Sequence, residues 1–520
     1  MLGSRVFSDF GLDGISKEIP CKTNWGTSHI LEGFRSCSSD KALIKKKQLP
    51  LLALRSEPET LQKIRTSLTN LTPITERIDD SIKNTDSRIE ESVLQILWSR
   101  KSVARFLNTS PWILNIYFLW KTVLLPAFAI IAPVLAIIVP FFVLRMFHPE
   151  SAYELPEYLE RVKEVLLKQI TIPSMLRARS QDDRMGRVLE SLFIGFTLVM
   201  FIMSLWNQIQ SSLHQRAIWY DIDARGGEIK TLYTTAKAIV SDLQTLPLKK
   251  KKAIRHCLER GETIVQAAVV FESLDNVTAF GNVWNDSNSV QNIITWIAEI
   301  DALSAIASLK SICIPKIQSA IGITLRDVYH PSLKTCISNN YSSSRSHALL
   351  TGPNRGGKST FCKAVGLAVI TAQSWGFAWA RTMSWSPFSR ITSALEHEGK
   401  LGVASTFEAE IEFAKSVLAP TGGSSFIMMD EIFHSTNAHD GLIASRIFLE
   451  QLYTKPNTMS LISTHFKALA EQYTDSVQCL QMEVTGQEDS SLLYSYKAIA
   501  GISEISSVME ILKEKGLTRT

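Results

Sequence analysis

Glycine, four residues, then Gly-Lys-Ser occupies Gly352 to Ser359, within the run Thr351-Gly352-Pro353-Asn354-Arg355-Gly356-Gly357-Lys358-Ser359-Thr360. Few short patterns constrain a fold as tightly. Such a loop wraps its backbone N–H groups around phosphate oxygens only when a strand delivers the chain and a helix carries it away. The segment therefore demands an α/β phosphate-loop (P-loop) fold. In that setting Lys358 reaches the β/γ oxygens of a nucleotide, and the Ser359 hydroxyl can hold Mg²⁺. The flanks agree: His347-Ala348-Leu349-Leu350 reads as the incoming strand, and Phe361 to Ser374 as the outgoing helix. A glycine-rich turn that binds nothing shares the core pattern but not these neighbours.

Two later runs supply chemistry. Ser424-Ser425-Phe426-Ile427-Met428-Met429-Asp430-Glu431 is an apolar strand ending in two carboxylates. In P-loop enzymes the first supports Mg²⁺ and the next can activate water, so Asp430 is a metal-ligand candidate beside Ser359, and Glu431 a general-base candidate. The alternative is a pair of surface acids after a strand. A third strand, Met459-Ser460-Leu461-Ile462-Ser463-Thr464-His465, sets His465 at its end, placed to sense a γ-phosphate. ATP and Mg²⁺ are the expected ligands.

Two segments are far more apolar than the rest. Thr122 to Met146 has no charge before Arg145, and Val188 to Trp206 has only Glu190. Each is about long enough to cross a hydrocarbon layer of roughly 30 Å as a helix. Trp112, Tyr117, Trp120 and Trp206 suit interfacial belts, and Pro126, Pro133 and Pro140 are better tolerated in spanning helices than in soluble ones. The expectation is an integral membrane region, 111–207, facing a lipid bilayer, with the ATPase on the cytosolic or equivalent ATP-containing side. A pair of buried core helices is the alternative. Topology stays open, because the segment between the two spans holds Arg161, Lys163, Lys168, Arg177, Arg179, Arg184 and Arg187.

Around that region the pattern is helical. Leu61, Ile64, Leu68, Leu71, Ile74, Ile78 and Ile82 recur at helical steps through 56–110, with Pro73 expected to kink or divide the helix. The style returns over 208–325, broken by Lys249-Lys250-Lys251-Lys252, a solvated turn or, less often, a phosphate contact. Residues 1–55 are Ser/Lys-rich with little periodicity and are expected to be disordered. With 55 Lys and Arg against 50 Asp and Glu, charge neither demands nor excludes nucleic acid. Seven scattered cysteines without a Cys-x-x-Cys pair argue against a zinc site or disulfide framework.

The C-terminal part resembles the ATPase domain of the MutS-type DNA mismatch-repair family, an ABC-type ATPase. The likeness runs through TGPNRGGKST, Ala372-Gln373 with Gly376, Phe388-Ser389-Arg390-Ile391, Ser405-Thr406-Phe407 with Glu410, Met429-Asp430-Glu431-Ile432, Asp440-Gly441 and Ser463-Thr464-His465-Phe466. Upstream, Glu299-Ile300-Asp301-Ala302-Leu303 and His330-Pro331 look like the family's helical core and its junction with the ATPase. The resemblance implies that Gly352 to Thr360 hold phosphate, and that Asn354 and Gln373 help position γ-phosphate, metal and water. It implies that Asp430 acts through Mg²⁺, Glu431 as base and His465 as sensor. It further implies a second MutS-like subunit, homo- or heteromeric, whose nucleotide Ser405 would reach. Two departures fall at that contact: Gly402 lies three residues before Ser405 where the family places its glycine two before, and Phe433 to Ala438 replaces a Gly-rich stretch.

The expected architecture is an α/β P-loop ATPase at 326–520, preceded by an all-α lever-like region that transmembrane helices interrupt. Three functions compete. The first is a membrane-anchored MutS-like ATPase that binds DNA. The second is a membrane-remodelling or signalling ATPase that does not. The third is an ABC-type transporter ATPase, weakened because two apolar segments cannot readily build a substrate pathway.

Overall fold

A computed structural model of the 520-residue chain describes residues 2–3, 5–83, 87–147, 154–170, 183–395, 406–420, 422–433, 435–486, 492–505 and 512. The chain divides into two compact units. One comprises 1–75, 235–265 and 293–520, and the other 76–234 and 266–292.

The first unit is built on two sheets. Strands β1 (Lys316–Ile317), β2 (Ile323–Val328), β3 (Asn339–Ser342) and β5 (Thr382–Trp385) form a four-stranded sheet in the order β1-β5-β2-β3. Strands β4 (His347–Thr351), β6 (Arg390–Ala394), β7 (Ser425–Met429), β8 (Thr458–Ser463), β9 (Gln478–Gly486) and β10 (Leu492–Ala500) form the other, in the order β10-β9-β4-β8-β7-β6. It is parallel from β9 through β6, and only β10 runs antiparallel, on β9. Every residue of β4, β7 and β8 is buried. That explains their unbroken apolar character, since helices cover both faces of a parallel sheet. Strand β8 lies between β4 and β7, so the C-terminal ends of all three open on one edge, where ligands of such sheets bind.

The disorder expected for residues 1–55 is not found. Helices form at Val6–Asp9, Leu12–Glu18, Asn24–Arg35 and Lys41–Arg55, and Val6, Phe10, Leu12, Ile15, Ile30, Phe34, Ile44 and Leu54 are buried. Helices this short do not hold alone in water, and docking supplies what propensity does not. Gly3 N donates to Ile391 O at 2.8 Å, covering the exposed edge at β6. Asp9 accepts from Ser393 Oγ at 2.6 Å and Leu395 N at 3.1 Å. Phe10 packs on Gly366, where a Cβ would lie 2.4 Å from its ring. Asp301 accepts from Lys22 N, Thr23 N and Thr23 Oγ1. The apolar residues sit in several short helices, so no single window of sequence carries a periodic signal.

Pro73 divides its helix as expected: Pro58–Thr69 gives way to a 3-10 turn, Thr72–Ile74, and then Thr75–Lys83. The second unit holds the apolar segments. Helix Pro111–Leu119 passes through a π turn, Trp120–Leu124, into Leu125–Phe147. The second segment lies within the 62-residue helix Asp183–Gln244. The two meet where Phe118 stacks on Trp219 at 4.4 Å and Ser212 Oγ donates to Thr122 O at 2.7 Å. Away from that contact the apolar side chains face outward. Phe128, Phe142, Phe196 and Trp206 are each more than 60% exposed, so they form no buried core within the described residues. Among those residues one helical stretch, Pro111–Ala136, is long and apolar enough to cross a membrane. All seven cysteines are unpaired.

His347, at the start of β4, lies 3.0 Å from Ser460 Oγ and against the Tyr453 ring. Burial lowers its pKa from 6.5 to about 4, so it stays neutral where an unfolded chain would take up a proton. The resulting stability is complete above pH 6.5 and is lost as pH falls towards 4, a change on the order of 3 kcal/mol. Urea unfolding of the wild type is expected to show this loss between pH 7 and pH 4.5, and His347→Gln to lack it.

Candidate functional site

The site is assembled where β4, β7 and β8 end. Strand β4 delivers the chain to the loop, and helix Lys358–Ser374 takes it away. Gly357, the residue before the helix, has φ 92°, and a Cβ there would lie 3.1 Å from Tyr496 Cδ1. Only glycine meets both demands without strain. The first N–H groups of the helix have no intrahelical acceptors, and with the helix dipole they favour an anion at this end.

Lys358 is buried, and its Nζ donates to Gly352 O at 3.0 Å and Pro353 O at 3.2 Å. Burial lowers its pKa, while Glu431 and Asp430 pull it back up. An ammonium held in this way gains most from an added anion, and phosphate supplies one.

Asp430 follows β7 directly. One carboxylate oxygen accepts from Ser359 Oγ, at the start of the P-loop helix, and the other from Ser463 Oγ, at the end of β8. Its own N–H donates to Ala394 O at 2.9 Å. A carboxylate fixed beside a serine hydroxyl is a hard-oxygen donor set, and it fits Mg²⁺, which takes one or two protein oxygens and fills its remaining positions with water and substrate phosphate. No group of three or more His, Cys, Asp or Glu suited to metal binding occurs among the described residues.

Glu431 has φ 52°, a left-handed conformation that costs energy outside glycine. Its N–H donates to Ser463 O and Oγ, both at 3.2 Å, which holds the turn. The turn points its carboxylate at His465 Nε2, with which it hydrogen-bonds. Both side chains are about one-third exposed, open to water and to a substrate.

A cavity of about 480 Å³ runs from this edge. The loop residues Asn354 to Thr360 and Glu431 form one side, and Val328, Tyr329, Ile337 and Asn339 the other. Tyr496 closes it above Gly357. Asn339 sets Tyr496 in place: its amide donates to Tyr496 O at 2.9 Å and accepts from Ala498 N at 2.7 Å, spanning the register shift in β10. Tyr496 itself has φ 55°.

The structure thus brings together Gly352, Pro353, Asn354, Arg355, Gly356, Gly357, Lys358, Ser359, Thr360, Asp430, Glu431 and His465. It does not bring Gln373 to them. Gln373 lies 15 residues beyond Lys358 on one helix, about 22 Å away along its axis. Its buried amide accepts from Phe388 N at 2.8 Å and donates to Phe388 O at 3.0 Å and Ser38 O at 3.2 Å. It is a latch between the N-terminal helices and the turn before β6, not a phosphate or water ligand. Ser405 lies outside the described residues. Tyr329, Asn339, Tyr496 and the Ser463 hydroxyl were not legible in advance. Ser463 at a strand end gave a faint signal, but Asn339 meets Tyr496 across 157 positions of chain and gave none.

Residues 348–519 match the family model described as MutS domain V. The chain is 26% identical over 245 residues to the DNA mismatch repair protein MutS of Shouchella clausii, covering 44% of this chain and 28% of that protein. It is 26% identical over 243 residues to the MutS protein of Chlorobaculum tepidum, with the same shares. To the DNA mismatch repair protein msh3 of Botryotinia fuckeliana it is 29% identical over 195 residues, 35% of this chain and 17% of that one. The chain thus spans less than a third of the length of the curated relatives it matches.

Gln373→Ala leaves buried partners at Phe388 and Ser38 unsatisfied and is expected to cost about 1–3 kcal/mol of stability with little change in nucleotide affinity. Lys358→Ala is expected to weaken nucleotide binding by roughly 10- to 100-fold, the loss of charged hydrogen bonds to phosphate. Melting curves and nucleotide titrations on the two variants separate the roles.

Proposed function

We propose that the chain belongs to the MutS family through its C-terminal P-loop ATPase domain, and that it binds and hydrolyses ATP as a paired, mismatch-repair-type switch held at a membrane by its two apolar helices. One observation carries the ATPase reading. Lys358, the Ser359–Asp430 pair and the Glu431–His465 pair converge where β4, β7 and β8 end, beside a cavity that the loop lines.

The loop N–H groups and Lys358 hold and neutralise the phosphates, and the wall of Tyr329, Ile337 and Tyr496 receives the rest of the nucleotide. Ser359 and Asp430 would hold Mg²⁺, which when bound neutralises charge on the phosphate oxygens. Glu431 takes the proton of the attacking water, and His465 orients its carboxylate and faces the terminal phosphate. The pairing of subunits rests on the family likeness, in which Ser405 reaches the nucleotide of the second copy. A phosphate shared by two surfaces locks them together, and hydrolysis removes the lock. The relatives' names make DNA the partner proposed for this switch.

The membrane reading is supported by Pro111–Ala136, the one described stretch long and apolar enough to span, and by exposed side chains such as Phe128, Phe142, Phe196 and Trp206, which a bilayer would cover. DNA titrated against salt is the check on the partner: affinity for neither duplex nor branched DNA at low salt removes it and leaves the membrane as the load.

Glu431→Gln is expected to bind ATP as the wild type does and to lose about 10²- to 10⁴-fold in turnover, the usual share of a general base. Unchanged steady-state hydrolysis removes Glu431 from that role. The anchoring is tested by membrane fractionation, with the protein resisting high-salt and alkaline washes until detergent is added. Release by either wash rules the anchor out.

A further inference from the structure

A second groove lies in the same unit as the phosphate loop. A groove of about 480 Å³ runs along one face of helix Pro58–Thr69 and shares no lining residue with the nucleotide cavity. Four cations line it, Lys22, Arg55, Arg65 and Lys310, and no carboxylate does.

The two arginines are fixed in an unusual way. Arg55 Nη2 donates to Lys310 O at 3.1 Å, and Arg65 Nη2 to Pro20 O at 2.9 Å. Each bond anchors one edge of its guanidinium. Nη1 of each is shielded from water and finds no acceptor among the described residues. Both side chains are only partly buried and line the groove, so an anion seated there meets the guanidinium edges that stay open. Nearby acids do not neutralise them. Glu57 pairs with Lys250. Asp301 is close enough to Arg65 to feel its charge, but it is fully buried and its oxygens are taken by Lys22 N, Thr23 N and Thr23 Oγ1.

We propose that this groove binds an anion carrying two adjacent phosphate groups. Guanidinium groups suit phosphate oxygens, and the amines of Lys22 and Lys310 add point charges at the rim. A single carboxylate would leave most of the four positive charges uncompensated. A diphosphate or longer phosphate chain answers them in a volume of this size. The same chemistry is offered by a free polyphosphate compound and by a multiply phosphorylated lipid headgroup. The site does not depend on the activity proposed for the phosphate loop.

The test uses the full chain in detergent, carrying Lys358→Ala so that uptake of the probe by the loop is weakened. Titration calorimetry with tripolyphosphate should give saturable binding that weakens at least tenfold in Arg55→Gln and in Arg65→Gln. The double variant Lys22→Gln/Lys310→Gln alters only side-chain amines, keeps the Lys310 carbonyl that holds Arg55, and should weaken binding at least threefold. It decides the matter if an arginine variant does not fold. A second arm measures flotation with phosphatidylcholine vesicles, with and without phosphatidylinositol bisphosphate. Binding to the phosphorylated vesicles alone, lost in the same variants, assigns the headgroup as the source; binding of tripolyphosphate alone assigns a soluble ligand. The proposal is overturned if neither probe binds, if binding ignores all four substitutions, or if only a DNA oligonucleotide binds through these residues.

Discussion

The carboxylate of Asp430 accepts from Ser359 on one side and from Ser463 on the other, and so joins the P-loop helix to the ends of β7 and β8. The rest of the site takes its position from this tie. The same Ser463 supplies the two acceptors that hold the strained Glu431 turn, and that turn aims Glu431 at His465. Three strands, each buried throughout, fix where these side chains begin. Removing water from the sheet makes its register unambiguous, because a slip would bury polar groups without partners. The site is therefore set by the core rather than by its own loops.

The N-terminal helices extend that core. Gly3 closes the edge at β6, Asp9 ties to Ser393 and Leu395, and Phe10 fills the space over Gly366 in the P-loop helix. Near the end of that helix Gln373, and just past it Trp375, bond to Ser38 and Ile30. The helix that begins at the phosphate loop thus ends in contacts with the first forty residues of the chain. Any movement of that segment would be felt along the axis of the helix.

Much of this was legible in the sequence because its signals are local. The loop, the strand that leads into it, the acidic pair after β7 and the histidine after β8 each lie within ten residues of a diagnostic pattern. What could not be read is long-range. The segment 1–55 looked disordered because its apolar residues are shared among four short helices, each stable only when docked. Gln373 looked like part of the site because its neighbours in sequence match a family pattern, whereas its amide is buried by partners 15 and 335 positions away. Asn339 and Tyr496 were invisible because a bulge in β10 brings them together.

The claim that Asp430 organises the site through its two serines is tested most directly by the Mg²⁺ dependence of ATP hydrolysis in Ser463→Ala. Ser463 holds the carboxylate without belonging to the phosphate loop, and outer partners of this kind are worth about 10- to 100-fold in metal affinity or activity. The expected result is a Mg²⁺ requirement shifted upward by about that factor, with nucleotide binding in the absence of Mg²⁺ unchanged. An unaltered Mg²⁺ requirement at wild-type turnover would contradict the account.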